Sequence, residues 1–195
     1  MSKPLRLVVF ASGNGSNFQA IQDAILNNEL NAKIKTVVSD QKDAYVLTRA
    51  SNHNLESKYF TYSKEEGKEL FEKRILNYLK GFEFDYIVCA GYMRIIGSTL
   101  LGQYEQKIIN IHPSKLPLYK GLDALGQALS ANDKEIGVSV HYVDETLDGG
   151  ALIDQCVFPI DDSMTRLDIE TLLHKHEHKL YVDVLKRLQK RENSK

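Results

Sequence analysis

The chain predicts an α/β fold: a mostly parallel sheet flanked by helices, with an antiparallel C-terminal portion. Three observations carry that class. Up to Asn110, short apolar runs alternate with amphipathic stretches, which is the pattern of strand–helix–strand units. After Pro113 two strand-like runs follow one another with a connection too short for a crossover, so they should pair antiparallel. A long stretch from about Ser163, with Leu167, Leu172, Leu173, Leu180, Val184 and Leu188 on one stripe, reads as a closing helix. The 195 residues suit a single domain, placed at 1–190, with a polar tail at 191–195 and fraying from Lys190 onward.

In chain order, residues 6–11, 34–39 and 85–90 read as buried strands, and 59–61 as a shorter one. Between them, residues 16–28, 43–52 and 63–80 show helical spacing behind plausible N-caps. Residues 107–111 form a fifth strand-like run, ended by Pro113. A polar helix at about 122–132 leads to the two C-terminal strands, 137–143 and 151–160, with Asp148-Gly149-Gly150 in the connection.

Composition excludes several classes. A net charge of −1 provides no general nucleic-acid footprint, which needs a basic face. No apolar run approaches the ~18 residues of a membrane span. The apolar run near the start stops at Ser12-Gly13-Asn14-Gly15, too soon for a signal sequence. Cys89 and Cys156 match no metal or CxxC spacing and are expected as buried free thiols in a reducing cytoplasm.

Two segments carry chemistry. The first is the turn Ser12-Gly13-Asn14-Gly15-Ser16-Asn17 between a strand and a helix. Glycines there let a ligand approach the backbone, and the N–H groups of a helix start attract an anion. Three readings stay open: a phosphate monoester site with Ser16 and Asn17 as extra donors, a plain packing turn, or a dinucleotide turn. Asp40, at the end of the next strand, favours the dinucleotide; Phe18 at its third glycine position opposes it.

The second segment is Asn110-Ile111-His112-Pro113 with Asp148 downstream. Residues i and i+2 of a strand share a face, so Asn110 and His112 should sit together at the open end of the sheet. An amide donor beside a titratable ring suits a reaction in which a carbonyl oxygen gains negative charge. An Asp before Gly-Gly is most often a turn residue, but here it could bring a carboxylate to the ring. The other histidines, His53, His141, His174, His176 and His178, read as structural. No HExxH, CxxC or paired-carboxylate spacing accompanies His112, so no metal is expected, and Ser114 lacks the elbow of a nucleophile.

Taken in order, Ser-Gly-Asn-Gly-Ser-Asn (12–17), Ala-Gly-Tyr-Met-Arg-Ile-Ile (90–96), Asn-Ile-His-Pro-Ser (110–114) and Leu-Asp-Gly-Gly (147–150) resemble the phosphoribosylglycinamide formyltransferase family over nearly the whole length. The resemblance implies a single-domain formyltransferase-like fold. The implied reaction moves a formyl group from 10-formyltetrahydrofolate to the amine of glycinamide ribonucleotide in purine synthesis, without a metal. It implies Asn110, His112 and Asp148 as the catalytic trio, Gly15, Ser16 and Asn17 as holders of the substrate phosphate, and Glu177 as a contact to the nucleotide. Met93, Arg94, Ile95 and Ile96, with Asn110, would line the folate pocket, and Lys64 lies where some members place a basic folate contact. The implied partners are these two small molecules only, in a cytoplasmic monomer or homodimer. Relatives of two kinds differ in layout: formyltetrahydrofolate hydrolases carry an extra N-terminal domain, and methionyl-tRNA formyltransferases a C-terminal RNA-binding one. A binding module without catalysis is the third alternative. One departure stands out: many members carry histidine where this chain has Asp123 or Leu125.

Overall fold

The structure, a computed structural model, describes residues 3–194. Its strands are β1 (Leu5–Phe10), β2 (Ala32–Ser39), β3 (Ser57–Tyr59), β4 (Tyr86–Cys89), β5 (Ile108–His112), β6 (Glu135–Tyr142) and β7 (Leu152–Pro159). Its helices are α1 (Ser16–Leu26), α2 (Tyr45–Asn52), α3 (Gly67–Leu79), α4 (Ser98–Gln103), α5 (Ala124–Ser130) and α6 (Arg166–Glu192). All seven strands form one sheet in the order β3-β2-β1-β4-β5-β6-β7. Pairing is parallel from β3 to β5 and antiparallel across β5–β6 and β6–β7. The expected class, mostly parallel with an antiparallel C-terminal part, is the observed one.

The strands read as continuous apolar runs because both faces of the sheet are covered. Along β1, Leu5, Leu7 and Val9 enter one core with residues of α1, α2 and α6. Val8 and Phe10 enter the other, beneath α3 and α4. Helix α6 starts with a capping box in which Thr165 and Asp168 each satisfy the other's backbone N–H. Its fully buried Tyr181 donates its O–H to the carbonyls of Cys89 and Ile109, tying the helix to β4 and β5.

Several expectations shift in detail. Helix α3 begins at Gly67 rather than residue 63, because Gly67 takes a φ of 77° and residues 63–66 form a turn that Gly67 N–H closes on Ser63 O. Helix α4 was not foreseen. Helix α6 runs to Glu192, past the Lys190 at which fraying is expected, and Asn193 exchanges hydrogen bonds with the backbone of Lys3. Cys89 is buried, and burial pushes its thiol up to about 12. Cys156 is only half-buried, its Sγ 3.3 Å from His176 Nδ1.

The order places a switch between β1, whose connection runs outward to β2, and β4, whose connection runs the other way. Open α/β sheets bind ligands at the carboxyl ends of the strands beside such a point. Both segments singled out above end there.

Candidate active site

A cavity of about 600 Å³ opens at that edge, lined by the turn after β1, residues 92–96 after β4, the end of β5, and parts of the segments 121–125 and 143–148. The β1 turn is shaped by Gly15. Its φ is 76°, and a Cβ there would lie 2.6 Å from Val46 Cγ2, so the turn packs against α2 only with glycine. Helix α1 then starts with no acidic residue in its first turn and no side-chain cap, leaving its first N–H groups free of intrahelical acceptors. Asn17 is buried; its Nδ2 donates to Glu177 Oε2 at 3.3 Å, while its Oδ1 has no partner. Burial pushes the Glu177 carboxyl above its usual range, against smaller opposing effects of His174 and the Asn17 amide. An anion-attracting helix start therefore stands beside a carboxylate and an amide that both retain hydrogen-bonding capacity.

Asp40 does not serve as a ribose acid here. Its side chain is buried and turned inward, accepting the Ser12 Oγ–H at 2.5 Å. Phe18, at the third glycine position of a dinucleotide turn, is fully buried in the core. The dinucleotide reading has lost its acid and its glycine.

The segment after β4 exposes Met93 and Ile95, at 66% and 61%, on the rim of the cavity while Ile96 is buried beneath. The Arg94 guanidinium lies 3.8 Å from the Tyr62 ring centre and beside Phe71. Lys64 is exposed and is not among the residues lining the cavity, so the structure does not bring it to the site.

On β5, Asn110 and His112 both line the cavity, as their spacing predicts. The His112 ring is fixed at both nitrogens. Nε2 lies 2.8 Å from Tyr119 O, and a carbonyl only accepts, so Nε2 carries hydrogen. Nδ1 faces Asp148 Oδ2 at 3.5 Å. Asp148 reaches in because Gly150 lets the chain fold tightly: a Cβ at Gly150 would meet Tyr142 O at 1.9 Å. Burial pushes the Asp148 carboxyl up, but nearby His141, the hydrogen bond from the Gly121 N–H and the charge of the neighbouring imidazoles hold it below the usual carboxylate range. It remains an anion at neutral pH.

His141, expected to be structural, belongs to this cluster. It pairs directly opposite Asn110 across β5–β6, its Nε2 lying 3.3 Å from Asn110 Nδ2 and 3.6 Å from Asp148 Oδ1. Its Nδ1 donates to Tyr142 O at 2.8 Å. In the neutral ring Nε2 therefore accepts one Asn110 N–H, leaving the other for a ligand. The signal that could have found it is cross-strand pairing, which requires the register of β6 against β5. His174 likewise lines the cavity.

Comparison with known proteins decides the family. The formyl transferase family model matches residues 5–185. The chain belongs to that family. It is 45% identical over 183 residues to the phosphoribosylglycinamide formyltransferase of Bacillus subtilis, covering 94% of both chains, and 36% identical over 177 residues to that of Escherichia coli, covering 91% and 84%. The solved glycinamide ribonucleotide transformylase 1 of Geobacillus kaustophilus superposes with a TM-score of 0.91 at 47% identity, covering 97% of this chain and 100% of that one. A formyltetrahydrofolate deformylase of Pseudomonas syringae shares the fold at 24% identity, with this chain covering 62% of it.

Within this formyl transferase fold the departure at 121–128 has a local explanation. Asp123 sits at a φ of 50° as the N-cap of α5, accepts from Gly126 N–H and pairs with Arg166 at 3.1 Å. Leu125 is a buried core residue that also contributes to the cavity wall. Among the described residues no group of three or more His, Cys, Asp or Glu side chains could hold a metal ion, and no helix is long and apolar enough to cross a membrane.

Proposed function

We propose that the protein transfers the formyl group of 10-formyltetrahydrofolate to the amine of glycinamide ribonucleotide in purine biosynthesis, acting in the cytoplasm. One observation carries the reading: a single cavity holds both the open start of α1 and the Asn110–His112–Asp148 cluster. This is in a chain 45% identical to a phosphoribosylglycinamide formyltransferase.

The amine attacks the formyl carbon, giving a tetrahedral intermediate whose oxygen is negative. The free N–H of Asn110 donates to that oxygen, and one such donor is typically worth about 3 kcal/mol. Protonated His112 supplies positive charge. Its Nε2–H is already committed to Tyr119 O, so the ring acts on the oxyanion mainly through its charge. The Asp148 carboxylate faces Nδ1 and holds the ring in its orientation. Collapse of the intermediate breaks the bond to the folate nitrogen, which takes up a proton as the former amine loses one. Gly15, Ser16 and Asn17 hold the phosphate, Glu177 contacts the nucleotide, and Met93, Arg94, Ile95 and Ile96 line the folate site.

Three measurements check the assignment. Purified protein given the formyl donor should form product only when glycinamide ribonucleotide is present; donor loss without an acceptor would point to a hydrolase. Ser16→Ala with Asn17→Ala is expected to raise KM for the nucleotide by about tenfold, the worth of hydrogen bonds to a charged group, with a much smaller change for the folate. Ile95→Asp places a charge on the exposed rim and should weaken a folate analogue while the nucleotide still binds. Equal loss of both ligands in that variant would mean the fold, not the pocket, had been damaged.

A further inference from the structure

We propose that Asp40 is a positioning residue serving both substrate subsites, one carboxylate oxygen setting the nucleotide-side turn through Ser12 and the other setting the folate-side segment through Arg94. The inference rests on the two-substrate reading above and goes beyond it, because Asp40 itself is not among the residues lining the cavity.

Asp40 ends β2, its side chain 2% exposed. Its Oδ1 accepts the Ser12 Oγ–H at 2.5 Å. Its Oδ2 accepts from Gln41 Nε2 at 3.0 Å and lies 3.1 Å from Arg94 Nε. That guanidinium nitrogen has no well-aimed hydrogen-bond acceptor, so the Arg94 contact is mainly charge on charge. Ser12 is the joint between the two sides. Its N–H donates to Gly91 O, and its Oγ accepts from Met93 N–H at 2.8 Å while donating to Asp40. The Ser12 hydroxyl has one hydrogen, so the direction of this relay is set by the carboxylate: Asp40 takes the hydrogen and leaves the oxygen lone pairs for Met93.

The consequence lies in what these groups carry. Ser12 starts the turn that leads to Gly15 and the open start of α1. Met93 and Arg94 begin the rim segment whose other end is fixed independently, since buried Glu72 accepts from Gly97 N–H at 2.5 Å and from Leu100 N–H at 3.3 Å. Arg94 touches Asp40 on one contact and the Tyr62 and Phe71 rings on others. The rim thus hangs between two buried carboxylates, and only Asp40 also grips the nucleotide side.

Two variants separate the two oxygens. Asp40→Asn keeps an oxygen for Ser12 but removes the charge that holds Arg94. It should raise KM for the formyl folate by about tenfold, the effect of losing a contact to a charged group, and leave KM for the nucleotide within about twofold. Asp40→Ala removes both contacts and should raise both KM values, with a smaller change in kcat. The unaltered protein is assayed first with both substrates. Failure to transfer formyl there overturns the functional reading itself. Transfer by the unaltered protein, with Asp40→Asn folded and both KM values unmoved or both raised equally, overturns the role given to Asp40. Should Asp40→Ala fail to fold, the near-isosteric Asp40→Asn alone decides through its split between the two substrates.

Discussion

His112→Ala lowers kcat by about a thousandfold on this account, with KM for both substrates changed little, because the charge that stabilises the oxyanion is lost, an effect of about that order. The ring is almost fully buried and holds two fixed neighbours, so its removal leaves Tyr119 O and the Asp148 carboxylate facing a void. Tyr119 O can turn to water, and Asp148 keeps the Gly121 N–H and His141. The variant should therefore fold. Steady-state kinetics with each substrate varied in turn checks the split: a large rise in either KM with kcat intact would move His112 from the chemistry to binding.

Asp148→Asn follows closely, with kcat expected to fall by about a hundredfold, since the amide removes the negative charge that faces and orients the His112 ring. Hydrogen-bonding shape is retained, so both ligands should bind nearly as before. A second readout is stability against pH. The Asp148 carboxyl is held below its ordinary value in the folded chain, so it adds stability above the ordinary carboxylate range, and that stability drains as pH falls through its lowered value. The variant should thus lose stability relative to the parent at neutral pH, with the gap closing in acid. Thermal melts of the two proteins across pH measure that gap. A gap that widens as pH falls would contradict the charge assignment.

The readable parts of this protein are those governed by local rules. The period-two face sharing of Asn110 and His112 needs only the chain's own geometry, and it placed both on one cavity wall. The apolar runs of β1, β2 and β4 announce a sheet covered on both sides, and the two closely spaced C-terminal runs announce antiparallel pairing. What escaped depends on residues far apart in sequence. His141 joins the site only through the register of β6 on β5. Helix α4 has six residues, too few for a clear helical pattern, and the N–H groups of Gly97 and Leu100 at its start are satisfied by Glu72 from α3 rather than by a neighbour in sequence. Asp40 looked like a ribose-binding acid at the end of a strand, and only the closure of the β1 and β4 turns around Ser12 turns it inward. The end of α6 reads as a polar tail because its anchor, Lys3, lies at the opposite end of the chain.

The central claim is direct transfer from folate nitrogen to nucleotide amine through one oxyanion. Isotope tracing in water labelled with heavy oxygen tests it most directly, with mass spectrometry of the products. An amine attacking the formyl carbon never exchanges the formyl oxygen, so the account predicts formylated nucleotide free of heavy oxygen, formed in step with loss of the donor, and no formate. Formate carrying heavy oxygen, released at the same rate with or without glycinamide ribonucleotide, would contradict it.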